Sequence, residues 1–259
     1  MTRIGAAAQL WVFCAALLAG AGGARAVEVE VAASRSSLSG GFADHQLIGI
    51  RLGWRGDDDR LLQLAVERKD AFGERATIAI GSWAQDLSER DRAGIALAFS
   101  DAPTIAAQHR LDLHYSRKLL AERNLVATLA GYATRIRDGH EDLGLVGSAA
   151  WYFADRQVAE LGVRAARSNP GSNDALRAFA VYTWGAVGSD TLSLRLEGGR
   201  EAYQSLGANV AVADFASREA AFAWRHWLTR DAGVGLDAAS YHHPSYRKRT
   251  LGVAAFAAF

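Results

Sequence analysis

Cysteine is nearly absent from this chain of 259 residues, and its one copy, Cys14, lies within the first 26. From Val27 onward there is no disulfide, no thiol nucleophile and no thiolate metal ligand to consider. Proline is almost as scarce, at Pro103, Pro170 and Pro244 only. After Leu18 no uninterrupted apolar run approaches the roughly 20 residues that a membrane-spanning helix needs. Formal charge is also lacking: the net value is +1, which removes the electrostatic case for a nucleic-acid partner. If such a chain crosses a membrane it must do so as a closed β-barrel, the other structure that satisfies its backbone in lipid.

The first 26 residues read as a secretory signal. Arg3 provides the positive start, Leu10 to Leu18 the short apolar core, and Ala24-Arg25-Ala26 a small-x-small cleavage site. Gly20, Gly22 and Gly23 interrupt the run before it could anchor a helix, and Phe13 before Cys14 does not fit a lipoprotein site. The expected domains are therefore a leader at 1–26 and a single domain at 27–259.

What the chain does contain is strict alternation. Ile48, Ile50, Leu52 and Trp54 share a face opposite Gly49, Arg51 and Gly53; Leu111, Leu113 and Tyr115 oppose Asp112, His114 and Ser116; Leu192, Leu194 and Leu196 oppose Ser193, Arg195 and Glu197. The period is two, not 3.6, and each run has the length of a tilted transmembrane strand. Polar turns separate the runs, and Arg90, Arg123 and Arg156 within them stand 33 residues apart. Helical repeats share that period, but the spacing inside each unit is that of strands, so the unit is a β-hairpin.

The first seven expected strands are Glu28–Ser39, His45–Trp54, Arg60–Asp70, Arg75–Ala84, Arg92–Ser100, His109–Lys118 and Asn124–Arg135. The other seven are His140–Tyr152, Gln157–Ser168, Asp174–Trp184, Thr191–Glu201, Phe215–His226, Ala232–His242 and Lys248–Phe259. The fold class is thus all-β, a transmembrane antiparallel up-and-down barrel of about 14 strands, with 12 as the alternative if the polar, Gly-rich start is not a strand. The last strand ends the chain on Phe259 and must pair with the first.

Two residue types orient the barrel. The prolines fall in connections at one end, where a missing N–H does no harm. Trp54, Trp83, Trp151, Trp184, Trp224 and Trp227 all precede turns at the other end, as does Phe259. An aromatic girdle at a lipid–water interface is expected from Trp54, Trp151, Trp184, Trp224 and Phe259. Trp83 shares no face with Ile78 and Ile80, so a bulge or an inward Trp is expected there. The girdle end, with both termini, would face the periplasm. The longest connection is expected at Ala202 to Asp214, with no large loop folded deep into the lumen.

In order and spacing the chain resembles the YaiO family of outer-membrane β-barrel proteins. The matching cues are Asp101-Ala102-Pro103 leading into His114-Tyr115-Ser116-Arg117-Lys118-Leu119, and Ser168-Asn169-Pro170-Gly171. Gly198-Gly199-Arg200-Glu201-Ala202 and Trp224-Arg225-His226-Trp227-Leu228-Thr229 continue them, followed by Tyr241-His242 and Tyr246-Arg247-Lys248-Arg249. The resemblance implies a cell-envelope barrel without an assigned reaction. Some relatives carry tetratricopeptide repeats before the barrel and sit near glycan-handling functions.

Candidate chemistry is sparse. His114 and Ser116 share a face, the spacing by which outer-membrane lipid hydrolases place a base beside a hydroxyl, but that face also carries Asp112 and is read as lumenal. His242-His243 lacks a third metal ligand, and Asp57-Asp58-Asp59 lacks the rest of a calcium loop. No cofactor is called for. The informative set is the lumen-lining one. Its cations are Arg51, Lys69, Arg164, Arg177, Arg195 and Arg225, with His114; its acids are Glu67, Asp112, Asp142, Glu160, Glu197, Glu219 and Asp237. Similar numbers of each sign argue against strong ion selectivity.

The function expected is a non-enzymatic outer-membrane barrel, a narrow pore or envelope scaffold serving surface-glycan export or assembly. The alternatives are a lipid hydrolase using His114 and Ser116, or a soluble periplasmic β-protein. Expected partners are outer-membrane lipid, the barrel-assembly machinery through the last strand, and envelope polysaccharide.

Overall fold

A computed structural model of the chain describes residues 24–56, 59–101, 104–136, 139–186, 188–205 and 211–259. The expected leader up to residue 23, Asp57-Asp58 and Pro103 lie outside the described residues. Fourteen strands follow one another: β1 Ala24–Leu38, β2 His45–Gly56, β3 Leu61–Ala71, β4 Glu74–Asp86, β5 Asp91–Ser100, β6 His109–Leu119 and β7 Leu125–Arg135, then β8 Glu141–Phe153, β9 Gln157–Asn169, β10 Asn173–Gly185, β11 Thr191–Ser205, β12 Ala211–Trp227, β13 Ala232–His242 and β14 Arg247–Ala258. Each pairs antiparallel with its sequence neighbours and β14 returns to β1, so the barrel is closed.

Closure rests on the strand with the weakest pattern. β1 faces β14 in continuous register from Glu28 opposite Ala258 to Leu38 opposite Lys248. Beyond it, Val27 and Phe259 exchange backbone hydrogen bonds of 3.0 and 2.8 Å. The polar residues that make β1 look poor serve the interior: Ser36 Oγ and Thr250 Oγ1 are 2.8 Å apart on the inner face. Backbone pairing does not ask for apolar side chains, so the ladder forms regardless.

The alternation sorts the two faces. Ile48, Ile50, Leu113, Leu129, Leu145, Leu161, Leu194 and Leu251 all point outward and are well exposed, Leu129 at 62%. A soluble β-sandwich would bury such a stripe; here it encircles the sheet as a lipid-facing band.

Two expectations need correction. In β4 the outward residues are Ala79, Gly81 and Trp83, because Trp83 sits opposite outward Leu62 and Ile95. The pairing passes through Trp83 without a register shift, so there is neither bulge nor inward Trp. Instead Ile78 and Ile80 face the lumen, and Ile78 packs on Ala71, Ala76 and Ile105. The connection expected at Ala202 to Asp214 is largely ladder as well: Tyr203 pairs with Ala213 and Gln204 with Val212. Those residues suit a strand, and the pairing extends β11 and β12 past their neighbours at the loop end.

The β3–β4 turn shows how backbone geometry places a side chain. Phe72 and Gly73 both take positive φ, 52° and 78°, as the two-residue hairpin turn that follows strand twist requires. For a bulky residue this conformation is uncommon. It swings the Phe72 ring inward over the mouth.

Replacing lipid-facing Leu129 by Arg should cost about 2–4 kcal/mol of stability in a bilayer, whereas Leu129→Met should be near neutral. Urea unfolding in lipid vesicles reads the difference; equal midpoints for the two variants would mean that this face does not meet lipid.

Candidate functional site in the lumen

Residues that alternate with the outward stripe converge on the inner wall. Arg51, Glu67, Lys69, Asp112, His114, Asp142 and Glu160 lie on that face, as do Arg164, Arg177, Arg195, Glu197, Glu219, Arg225 and Asp237. They form separate groups rather than one cluster.

The largest group is on β9 to β12. Glu197, with its side chain only 7% exposed, receives three arginines: Arg177 at 3.1 Å, Arg164 at 3.5 Å, and Arg195, which bonds it directly. Arg177 also reaches Glu201 at 3.0 Å. Glu201 accepts hydrogen bonds from Ser217 and, at 2.9 Å, from the Tyr241 hydroxyl. The Arg195 guanidinium lies 4.5 Å over the Phe179 ring. Phe179 in turn occupies the space above Gly162, where an added Cβ would come within 2.3 Å of the ring.

A second group latches the seam. Arg225 on β12 extends 3.9 Å over the Phe256 ring. It reaches Glu28 at 3.1 Å and Glu30 at 3.8 Å on β1, and Glu30 is also paired to Arg51 at 3.2 Å. The arginine thus spans β13 and β14: it passes Gly235, directly opposite on β13, and lies over the Phe256 ring, which fills the space at Gly233.

Asp112 accepts from two nitrogens of Arg110, Nε at 2.7 Å and Nη2 at 2.6 Å. Lys69 donates to the Ile105 carbonyl at 2.9 Å. His114 fits above Gly94, and Ser116 Oγ shares a 2.9 Å hydrogen bond with Thr128 Oγ1 on the lumenal face. The hydroxyl is therefore turned away from lipid and engaged with a neighbour. His242 and His243 point to opposite faces, and no group of metal-ligating side chains is assembled among the described residues.

An aromatic cluster narrows the end bearing the loops. Phe42, Phe72 and Tyr246 meet edge to face with centroids 5.5 to 6.0 Å apart. His243 stacks on Tyr246 at 4.6 Å and meets Phe215 at 4.4 Å. Gln204 donates to the Tyr246 hydroxyl at 2.8 Å. His243 is 1% exposed, and its Nδ1 accepts the Ser245 N–H at 3.0 Å, so the ring is held neutral. Burial lowers its pKa below the ordinary histidine value, and neighbouring His242 adds to the effect against the pull of Glu201. Although the loops are short, the chain around Ile105 and the 243–246 turn do bend inward.

At the opposite end Trp54, Trp83, Trp151, Trp184 and Trp224 point outward, and Phe259 is exposed beside them. Trp227 does not join them: it faces inward onto Phe256 at 4.9 Å. Its parity with Arg225 is the signal that separates it from Trp224.

Sequence reasoning did not single out Glu28, Glu30, Arg110, Glu201, Tyr241 or the Phe42–Phe72–Tyr246 cluster. The parity of each strand marks Glu28, Glu30, Arg110 and Glu201 as inward. No local signal marks the cluster, which is assembled from three separate turns.

The family model described as the YaiO membrane beta barrel domain matches residues 26–204. No curated protein sequence is significantly similar to the chain. Among solved structures, the CymD monoaromatic hydrocarbon channel is similar at 8% identity and TM-score 0.57, over 99% of this chain and 93% of that one. The Acinetobacter baumannii outer membrane protein Omp33 is similar at 7% and 0.55, over 90% and 99%. A loop-deletion mutant of OmpT, an outer membrane protein of Vibrio cholerae, is similar at 10% and 0.53, over 90% and 98%. At such identities the likeness concerns the fold alone.

Glu197→Gln should cost about 2–3 kcal/mol, because three guanidinium groups lose the charge they share. Glu219→Gln, also on the inner wall, should cost less than about 1 kcal/mol. Equal unfolding midpoints in urea would contradict the hub assignment. The His243 contribution should be complete above its unfolded pKa of about 6.5 and lost as pH falls through the lower folded value. Wild type should therefore lose stability in mild acid more steeply than His243→Phe, and parallel pH profiles would count against a buried neutral ring.

Proposed function

Since this chain belongs to the YaiO family of membrane β-barrel proteins and has the porin-like fold of the outer membrane, we propose that it is a narrow, aromatic-gated pore for hydrophilic solutes. The observation that carries this reading is the accessibility of the inner wall. Arg51 stays 51% exposed and Arg225 37% exposed although both point inward. A packed interior would have covered them; these guanidinium groups meet water. Eight strands suffice for a filled barrel and 16 to 18 leave an open channel, so 14 with a charged lining falls on the wet side.

Ala24, the first described residue, and Phe259 lie at the aromatic-girdle end. With the leader read as a secretory signal in a Gram-negative cell, that end is periplasmic and the cluster of Phe42, Phe72 and Tyr246 guards the outer mouth. The assembly machinery would engage β14, which ends at the seam. Because both signs line the lumen, the cargo is neutral or mixed in charge, and segments of envelope polysaccharide fit that description. Ser116, turned to the lumen and bonded to Thr128, does not support a lipid hydrolase built on His114 and Ser116.

Refolded protein in a planar bilayer should show small, weakly selective conductance steps. Phe72→Ala with Tyr246→Ala should enlarge them several-fold while heat-modifiable gel migration is retained. A silent bilayer for both proteins would overturn the pore reading in favour of an envelope scaffold.

A further inference from the structure

The outer surface near the loop end carries many charges, and most are neutralised locally. Outward-facing Arg35 pairs with Asp44 at 2.8 Å, Arg75 with Asp70 at 2.6 Å, Arg135 with Glu141 at 3.6 Å and Arg167 with Asp174 at 2.7 Å; Arg200 pairs with Asp214. Arg68 on β3 stands by itself between Ile48 and Thr77.

One sector departs from this pattern. Arg218 on β12 is directly opposite His242 on β13, and His242 is directly opposite Arg247 on β14. All three point outward, and Arg249 lies two residues further along the same face. None of the three arginines has a carboxylate partner among the described residues. Guanidinium groups gathered on one patch of wall without an acid among them repel one another, so a row of this kind calls for an anion from outside the chain.

Beside the row is a groove. An open depression of 810 Å³ runs from Arg218, Arg247 and Arg249 down the outer wall of β9 to β14. Its floor is Ala178, Ala180, Gly198 and Ala220, and its lower rim Leu161 and Leu196. Gly198 is directly opposite Arg218, and Ala178 directly opposite Gly198. Bulky residues below, small ones along the floor and cations at the top make a track that is apolar at one end and basic at the other. Because strands tilt, a row of cross-strand partners climbs through the membrane. This one rises from the lipid-facing band to the headgroup level.

We propose that this sector binds one phosphorylated, multiply acylated lipid of the outer leaflet, its phosphate on Arg218, Arg247 and Arg249 and an acyl chain along the alanine–glycine floor. Guanidinium groups bind phosphate oxygens in bidentate pairs, and basic pockets beside transmembrane surfaces recognise anionic headgroups in this way. Placing the site in the outer leaflet rests on the orientation given under the proposed function.

Native mass spectrometry of the full barrel in detergent, titrated with bis-phosphorylated lipid A, tests the proposal. Wild type should retain one lipid per barrel. An Arg218→Ser, Arg247→Ser, Arg249→Ser triple variant should bind at least tenfold more weakly, and Arg167→Ser, whose arginine is already paired, should bind as wild type does. These side chains are exposed, so folding should persist and heat-modifiable migration verifies it. Equal retention by wild type and triple variant, or equal retention of phosphate-free lipid, would overturn the proposal by showing annular lipid only. Displacement by millimolar inorganic phosphate alone would do the same, since the acyl chain would then contribute nothing. Binding in detergent is blind to orientation, which labelling of Ser245→Cys on intact cells with an impermeant maleimide reports separately. Unlabelled cells would refute the orientation and leave the lipid site standing.

Discussion

A backbone inside a bilayer has no water to bond with, so each strand in the sheet must find a partner on both sides. Everything in this molecule follows from meeting that demand at the seam. Thirteen of the strand pairs join neighbours along the chain, where a turn delivers the partner. The fourteenth, β1 with β14, joins residues more than two hundred positions apart. Its loop-closure cost is the largest in the fold, and it falls on a strand whose apolar stripe gives way to the polar run Ser34-Arg35-Ser36-Ser37. The interior provides the compensation: Arg225 passes Gly235 of β13 and lies over Phe256 of β14 to reach Glu28 and Glu30.

Charge is placed by face. Inside, arginines converge on shared carboxylates, above all Glu197, and the pairs tie side chains across strands. Outside, near the loops, arginines are mostly matched one to one with acids; Arg68 on β3 stands alone, and a whole row goes unmatched along β12 to β14. That row borders a floor of alanine and glycine, and the combination distinguishes a lipid site from ordinary rim polarity. Membership of a barrel family explains neither arrangement; both depend on which residue occupies each register position.

Much of the fold was legible because a period of two survives in almost every strand. Where it misled, the reason is local. Ile78 and Ile80 look like lipid-facing residues, yet both face the lumen, where Ile105 comes down to meet Ile78. Apolar character therefore did not identify the outer face, whereas pairing with Leu62 and Ile95 does. Residues 202–205 and 211–214 were read as a connection because they break the stripe, although their backbone still pairs. The inward charges were visible singly, but their grouping was not. That Glu197 gathers Arg164, Arg177 and Arg195 depends on register between three strands, and no spacing along one strand encodes it. The mouth cluster was hidden for a related reason, since Phe42, Phe72 and Tyr246 meet only once the barrel is closed.

Closure in this one register is the claim on which the rest depends, and the absence of cysteine after Cys14 makes it directly testable. Ala32 on β1 faces Ala254 on β14. With both replaced by cysteine, the protein should form an intramolecular disulfide under mild oxidation in the membrane, visible as a shift in non-reducing gel migration. The pair Ala32→Cys with Ala255→Cys, one position out of register and on opposite faces, should not. Cross-linking of the second pair in place of the first, or of neither, would contradict a barrel closed as described.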